Sequence, residues 1–403
     1  MKIIYIHQYF KTYADGGSSR SYYLAKALIK QGHQVEMITS HNKKAYQKVR
    51  IEGITVHYLP VFYDTKLGFL GRILSFLRFV IQASRLALSI KNAGLCYATS
   101  TPLTVGITAL LLKKLKNIPF YFEVRDLWPQ APIEMGVIRN GFIQKIIRGF
   151  EKLVYRQAQK IIALSPGMAQ DISQKITDLG KIHVIPNMAD CDFFQADEPT
   201  FPQKTNTFTI SYFGAVGKVN QLNYLVEAAR YFQEKQLSGV RFQVVGKGNA
   251  NAQVQQLAQQ YQLNNMTFHP HVDKFTLREM LAHTDAVYIS FAQKPVMETS
   301  SPNKFFDALA AGKLCITNTS GWVRESIEEA DCGFYASPDE PDDFYKKLLP
   351  YLASKRKLKE AKSSARYLAE TQFSREILTK TFVGLFPQSK PIAISKEVAV
   401  VPE

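Results

Sequence analysis

Hydrophobic and polar positions follow two rhythms along this chain. IIYI at residues 3–6 is a short apolar run, and polar, glycine-rich DGGSSRS follows it. YYLAKALIKQGH then spaces its apolar residues at helical intervals up to Gly32, and VEMIT is apolar again. Short apolar runs read as buried strands, and steps of three and four as one-faced helices. The alternation continues through LCYATS, PLTVGITALLLKKLK, PFYFEV, KIIALS and IHVIP. Strands that alternate with helices predict a parallel sheet covered on both faces.

The rhythm breaks at MADCDFFQADEPTFPQKTN, residues 189–207, and then restarts with FTISYFG, VRFQVVGKG, MTFHP, AVYIS and LCITN as strands. QLNYLVEAARYFQEK and AQVQQLAQQYQL are the first helices between them. The expected fold class is therefore α/β, with two doubly wound, Rossmann-like domains facing across a cleft. The expected division is a first domain at 1–188, a linker at 189–207 and a second domain at 208–370. A helix at 371–388 is expected to cross back to the first domain, with a loose tail at 389–403. Ligands of such sheets bind beyond the carboxyl ends of the strands.

A length of 403 residues suffices for two full cores, and 46% hydrophobic with 21% charged residues is ordinary for a folded protein. Cys96, Cys191, Cys315 and Cys332 lack metal-ligand spacing, which points to reduced thiols and a cytoplasmic location. The opening MKIIYIHQYF is too short in its apolar run for a signal peptide, and no stretch has the length of a membrane span. Charge changes the picture once it is divided. Residues 1–188 hold 26 Lys and Arg against 10 Asp and Glu, whereas residues 189–403 hold 24 of each. A basic first half suits an anionic membrane or a nucleic acid.

Three loops in the second half carry the candidate chemistry. YFGAVGKVN places Gly214, Gly217 and Lys218 at a strand-to-helix turn, and VVGKGN repeats the device at Gly246. In ETSSPNKFFDALAAGK, Ser301 reads as a cap with Pro302 at the first helical position, followed by Asn303 and Lys304. Each loop alone is also an ordinary turn or capped helix. Together they leave carboxyl ends of one sheet, where a diphosphate meets Lys218, the amides near Ser301 to Lys304 and the Lys304 ammonium. Asp307, one turn on, is placed to accept from ribose hydroxyls.

With HQYF, GGSSRSYYLAKALIKQGHQV, YATSTPLTVG, PFYFEVRDLWP, ALSPGM, VIPN, YFGAVGKVNQL, VVGKG, SPNKFFDALAAGK and CGFY in order, the chain resembles a GT-B fold glycosyltransferase. The resemblance is to glycosyltransferase family 4, in its L-fucosamine transferase-like subgroup. It implies a nucleotide-sugar donor in the second domain, an acceptor facing the first, and retention of anomeric configuration. It also implies no cofactor and no metal beyond the UDP-sugar co-substrate. Asp307 matches the second acid of the family's paired acidic motif; strict spacing puts Thr299 at the first, with Glu298 beside it. Lys218 matches a basic position near the donor phosphates, and Gly16 and Gly17 match the loop after the first strand. Near His269 the family rests its nucleobase on backbone groups. On the acceptor side stand Glu123, Arg125 and Asp126, at the end of an apolar strand. Asp126 is the candidate base, with His7 a second candidate; an Arg–carboxylate cluster that only shapes the loop is the alternative.

Residues 65–122 contain no Asp or Glu but eight Lys or Arg. Within them Arg72, Ser75, Arg78, Gln82, Arg85 and Ser89 draw a single polar stripe on an apolar helix. This suits an interfacial helix on anionic lipid, or a buried helix with one wet edge. FIQKIIRGFEKLVYRQAQK adds a second basic stretch. The resulting expectation is a retaining transferase, peripheral at the inner face of the cell membrane. It moves an N-acetylated amino or 6-deoxy sugar from a UDP-sugar to a lipid-linked saccharide in surface polysaccharide synthesis. A UDP-N-acetylglucosamine 2-epimerase-like enzyme and a basic adaptor for membrane or nucleic acid remain the other readings. Nucleic acid is disfavoured, because the positive charge is set among apolar runs.

Overall fold

A computed structural model describes residues 1–13, 19–64, 67–194 and 207–388. The described strands are β1 (Lys2–Ile6), β2 (Gln34–His41), β3 (Gln47–Ile51), β4 (Ile54–Pro60), β5 (Ala93–Thr99), β6 (Phe120–Val124), β7 (Lys160–Ala163) and β8 (Ile182–Val184). They form one sheet in the order β3-β4-β2-β1-β5-β6-β7-β8. In β1, Ile3 to Ile6 are all buried, which is what an apolar run in a sheet covered on both faces requires. β1 is parallel to β2, with Ile3 opposite Val35, and parallel to β5.

One edge departs from the expected parallel sheet. β3 runs antiparallel to β4, joined at Glu52 and Gly53, whose φ angles are +44° and +88°. Two successive positive φ angles make the turn whose twist matches a hairpin. The sequence signal was weak, because glutamate stands where Asn or Asp usually marks such a turn.

A second sheet holds β9 (Phe208–Phe213), β10 (Val240–Val245), β11 (Met266–His269), β12 (Ala286–Ile289), β13 (Leu314–Thr317) and β14 (Gly333–Tyr335). Its order is β11-β10-β9-β12-β13-β14, and every pairing is parallel. Alternate residues of each strand feed opposite cores. Ala286 and Tyr288 join Ile210, Leu225 and Phe232 on one face, while Val287 and Ile289 join Phe305, Leu309, Cys315 and Val323 on the other.

The described residues divide into two compact units. One holds residues 1–10, 21–122 and those from Thr379 on; the other holds 11–20 and 123–378. In the first, the segment around Phe382 and Phe386 packs by aromatic contacts. Phe382 meets Tyr97 at 5.2 Å and Phe386 meets Tyr121 at 5.0 Å, and the Tyr121 hydroxyl donates to the Leu385 carbonyl at 3.0 Å.

The helix Phe69–Ser89 corrects the single-stripe expectation. Ser75 faces inward, its hydroxyl donating to the Phe62 carbonyl at 2.8 Å, and buried Ser84 pairs with Thr108 at 2.9 Å. Phe79, Val80, Ala83 and Ala87 are buried, while Leu70, Leu74, Leu77 and Ile81 are between 44% and 74% exposed. Satisfied hydroxyls let the polar residues turn in, and a ridge of leucines turns out beside exposed Arg78 and Arg85. No helix among the described residues is long and apolar enough to cross a membrane.

Removing Phe382, which is fully buried against Tyr97 and Phe386, opens a cavity in the first unit. Phe382→Ala should cost ~3–5 kcal/mol. Urea unfolding followed by near-ultraviolet dichroism checks this, and a loss below about 1 kcal/mol would show that the segment is not part of that core.

Candidate functional site

Every donor-side candidate that the structure describes lies in the second unit, along the carboxyl edge of β9 to β12. Gly214 follows β9 and Gly246 follows β10. The Gly214 N–H donates to the Val245 carbonyl at 3.0 Å, and the Gly246 N–H to the His269 carbonyl at 3.2 Å. The two turns lie so close that a Cβ on Gly246 would stand 1.8 Å from the Gly214 oxygen. Two residues on, a Cβ at Gly248 would stand 2.1 Å from the Val216 oxygen. These glycines are required by backbone meeting backbone.

Lys304 reaches this place from the helix Asn303–Ala310. Its ammonium donates to the Tyr212 hydroxyl at 2.8 Å and lies 4.2 Å from that ring's centre, with the Phe291 ring at 5.3 Å. A Cβ at Gly214 would be 3.9 Å from the Lys304 nitrogen, so the lysine sits directly beside the first glycine turn. Tyr212 in turn donates to the Ala215 carbonyl at 2.6 Å, which pins the turn. Lys218 is exposed and makes no hydrogen bond among the described residues, and His269 is half-buried.

The helix start differs from expectation. The helix begins at Asn303, Pro302 is the preceding cap residue in extended conformation, and no side chain caps it. The Ser301 hydroxyl instead accepts from the Asn187 N–H at 3.3 Å. Asp307 lies one turn on, half-buried. Glu298 is exposed at the end of the short helix Pro295–Glu298. Thr299, at the strict first acidic position, spends its hydroxyl on the Val296 carbonyl at 2.8 Å.

On the acceptor side the three candidates separate. Glu123 is 0% exposed, and its carboxylate accepts from the Arg20 Nε at 3.0 Å. It is a buried structural ion pair and not a group that lines an open surface, which corrects the expectation for it. Arg125 is half-buried and Asp126 is exposed. His7 belongs to the first unit, buried just past the end of β1, where its backbone N–H donates to the Ile38 carbonyl at 3.0 Å. Gly16 and Gly17 lie outside the described residues.

The sequence reading missed several partners. Asp190, assigned to the linker, accepts from Lys274 at 2.9 Å and Arg375 at 2.7 Å. The Lys274 ammonium sits 4.5 Å from the Tyr13 ring and 4.6 Å from the Phe193 ring. Arg20, the first residue of its helix, was passed over in SSRS. Its charge signalled nothing until Glu123 stood next to it.

Burial disturbs both ionisable groups of the helix start. It raises the Asp307 carboxyl from its ordinary 3.8 to about 7, Lys274 opposing and Asp190 adding to the shift. It lowers the Lys304 ammonium from 10.5 to about 7. Burial therefore disfavours the charged form of both groups. No group of three or more His, Cys, Asp or Glu among the described residues is placed to hold a metal ion.

Comparison with known proteins gives two matches along the chain. Residues 15–188 match the family model described as glycosyl transferase 4-like domain, and residues 194–367 the model described as glycosyl transferases group 1. WcaI of Escherichia coli (strain K12), a glycosyl transferase assigned to colanic acid biosynthesis, is 22% identical over 320 residues, 73% of this chain and 78% of that protein. Sucrose-phosphate synthase from Thermosynechococcus elongatus superposes with a TM-score of 0.75 at 16% identity, covering 95% of this chain and 98% of that one. Anabaena HepE in complex with UDP-glucose gives 0.68 at 16% identity, covering 96% and 99%.

The two shifts set opposite slopes of stability against pH. Between about 4 and 7 the unfolded chain has released the Asp307 proton and the folded chain retains it, so stability falls as pH rises. Between about 7 and 10.5 the unfolded chain keeps the Lys304 proton that the folded chain has lost, so stability rises. Asp307→Asn should therefore gain stability over the parent progressively from pH 4 to 7 and hold that gain above 7. Urea midpoints at pH 5, 7 and 8.5 measure it, and a gain independent of pH would contradict the raised carboxyl.

Proposed function

We propose that this chain, which belongs to the glycosyltransferases by both of its matched domains and has their GT-B fold, transfers a sugar from a UDP-sugar to a lipid-linked saccharide acceptor. The process is surface polysaccharide synthesis, and the sugar an N-acetylated amino or 6-deoxy sugar. The glycosyl transferase matches favour a transferase over the epimerase-like and adaptor alternatives. The observation that carries the donor reading is the meeting of Lys304, the paired glycine turns and an uncapped helix start at one sheet edge. Bare amides, the helix dipole and a lysine form a receptor for a diphosphate. The HepE complex with UDP-glucose, in a protein of the same fold, supports a nucleotide sugar as ligand.

In this reading the diphosphate lies against the amides of Asn303 and Lys304, and the Lys304 ammonium faces its oxygens. Charge that develops on the leaving diphosphate is stabilised by dipoles already in position, without a metal. Asp307 accepts from the ribose hydroxyls. The acceptor hydroxyl attacks on the face the diphosphate leaves, and its proton passes to Asp126 or to the leaving phosphate. Asp126 is exposed and can meet a large acceptor, whereas Glu123 cannot.

The membrane part of the proposal rests on two surfaces. The leucine ridge of Phe69–Ser89 stands beside Arg78 and Arg85. The helix Gly141–Gln157 exposes Phe142, Ile143, Ile146 and Leu153 together with Lys145, Arg148, Lys152 and Arg156. Apolar side chains entering the acyl boundary beside basic residues fit an anionic leaflet.

A panel of UDP-sugars with a labelled lipid-linked acceptor tests the reaction; no transfer from any UDP-sugar would sink the proposal. Asp307→Ala should weaken UDP binding by ~1.5–3 kcal/mol, the scale of a charge-assisted hydrogen bond. Asp126→Asn should leave UDP affinity unchanged and lower turnover about 100-fold. Turnover within a few-fold of the parent would remove Asp126 from the chemistry. For the membrane, Leu70, Leu74 and Ile81 changed together to Ser should release the protein from anionic vesicles in a flotation assay. Unchanged flotation of the folded variant would exclude the ridge as the contact.

A further inference from the structure

We infer that Arg20 and Asn187 are positioning residues for nucleotide-sugar binding, fixing the backbone that opens the helix Asn303–Ala310. The inference rests on the donor reading above and adds how that receptor is held in shape. Three consecutive carbonyls precede the helix, and each accepts from a side chain of a distant segment. The Ser165 hydroxyl donates to Thr299 at 2.5 Å, the Trp322 indole to Ser300 at 2.8 Å, and the Asn187 amide to Ser301 at 2.6 Å. Because a peptide unit is planar, fixing these oxygens fixes the plane of each unit and the direction in which the chain enters the helix.

Asn187 is itself held from behind. Arg20 donates from Nη2 to the Ile185 carbonyl at 2.9 Å and from Nη1 to the Pro186 carbonyl, while its Nε pairs with Glu123. One planar guanidinium thus joins a fully buried carboxylate to the two residues before Asn187, a geometry that a lysine ammonium cannot reproduce. The Asn187 N–H and side-chain amide both engage Ser301, so a single residue grips it at the hydroxyl and the carbonyl.

A second observation points the same way. Asn187 is only 4% exposed, and its Oδ1 has no hydrogen-bond partner among the described residues. A buried amide that satisfies one end and leaves the other unpaired is costly. An apolar residue of similar size would avoid that cost but would leave the Ser301 carbonyl without this donor. The one side-chain bond that the asparagine makes is thus spent on the donor loop.

The test uses the full-length protein and calorimetry with UDP and with uridine, which lacks the diphosphate. Asn187→Ala should bind UDP about tenfold more weakly, the loss of one strong hydrogen bond's alignment, while uridine affinity is unchanged. Arg20→Lys should shift the UDP-to-uridine affinity ratio in the same direction. Asn187→Ser, which keeps a donor in a smaller side chain, should recover part of the loss and serves if the alanine variant does not fold. A residue that merely stabilises the fold would lower the melting temperature and leave that ratio untouched. Equal losses for both ligands, or unaltered UDP binding in the serine and lysine variants, would overturn the inference. A parent protein that binds no UDP would overturn the donor reading first, and this is read from the parent alone.

Discussion

Parallel strand direction is the constraint on which the second unit depends. When β9, β10, β12 and β13 all run the same way, their carboxyl ends share one edge, and every connection leaves from there. Loops separated by about ninety residues of sequence, at Gly214 and Lys304, then meet without any direct signal between them. The closeness is extreme at Gly214 and Gly246, where backbone touches backbone and no side chain has room. A flat antiparallel arrangement would have sent alternate loops to opposite ends and left the lysine without its turn.

Much of this architecture was legible because periodicity reports burial, and burial dominates a sheet covered on both faces. IIYI, FTISYF, VRFQVV and LCIT each became a strand. The antiparallel β3 was not legible, since its exposed residues carry no apolar run and its turn begins with glutamate. The polar stripe on Phe69–Ser89 misled for a related reason. A hydroxyl that finds a carbonyl can be buried at little cost, so serine reports a polar partner as easily as it reports water.

The placement of the candidate site was legible in its glycines and Lys304, because those residues are demanded by local backbone geometry or by charge. Partnerships were not. Arg20 and Glu123 lie 103 positions apart, and nothing in either segment announces the other. Glu123 was read as an acceptor-side group because it stands near the end of an apolar strand, and that same position buries it. Its neighbour Asp126, three residues on and past the strand end, is the one that reaches the surface. Reading position along a strand correctly thus did not tell which way a carboxylate would be neutralised.

The leucine ridge on Phe69–Ser89 also bears on how copies of this protein treat one another. Two such ridges brought face to face would bury apolar surface, and would equally press Arg78 and Arg85 of one copy toward those of the next. Like charge beside the sticky residues makes the surface selective by sign. Burial of the ridge and repulsion between the arginines would then act against each other, so its apolar residues and its charge do not favour the same partner.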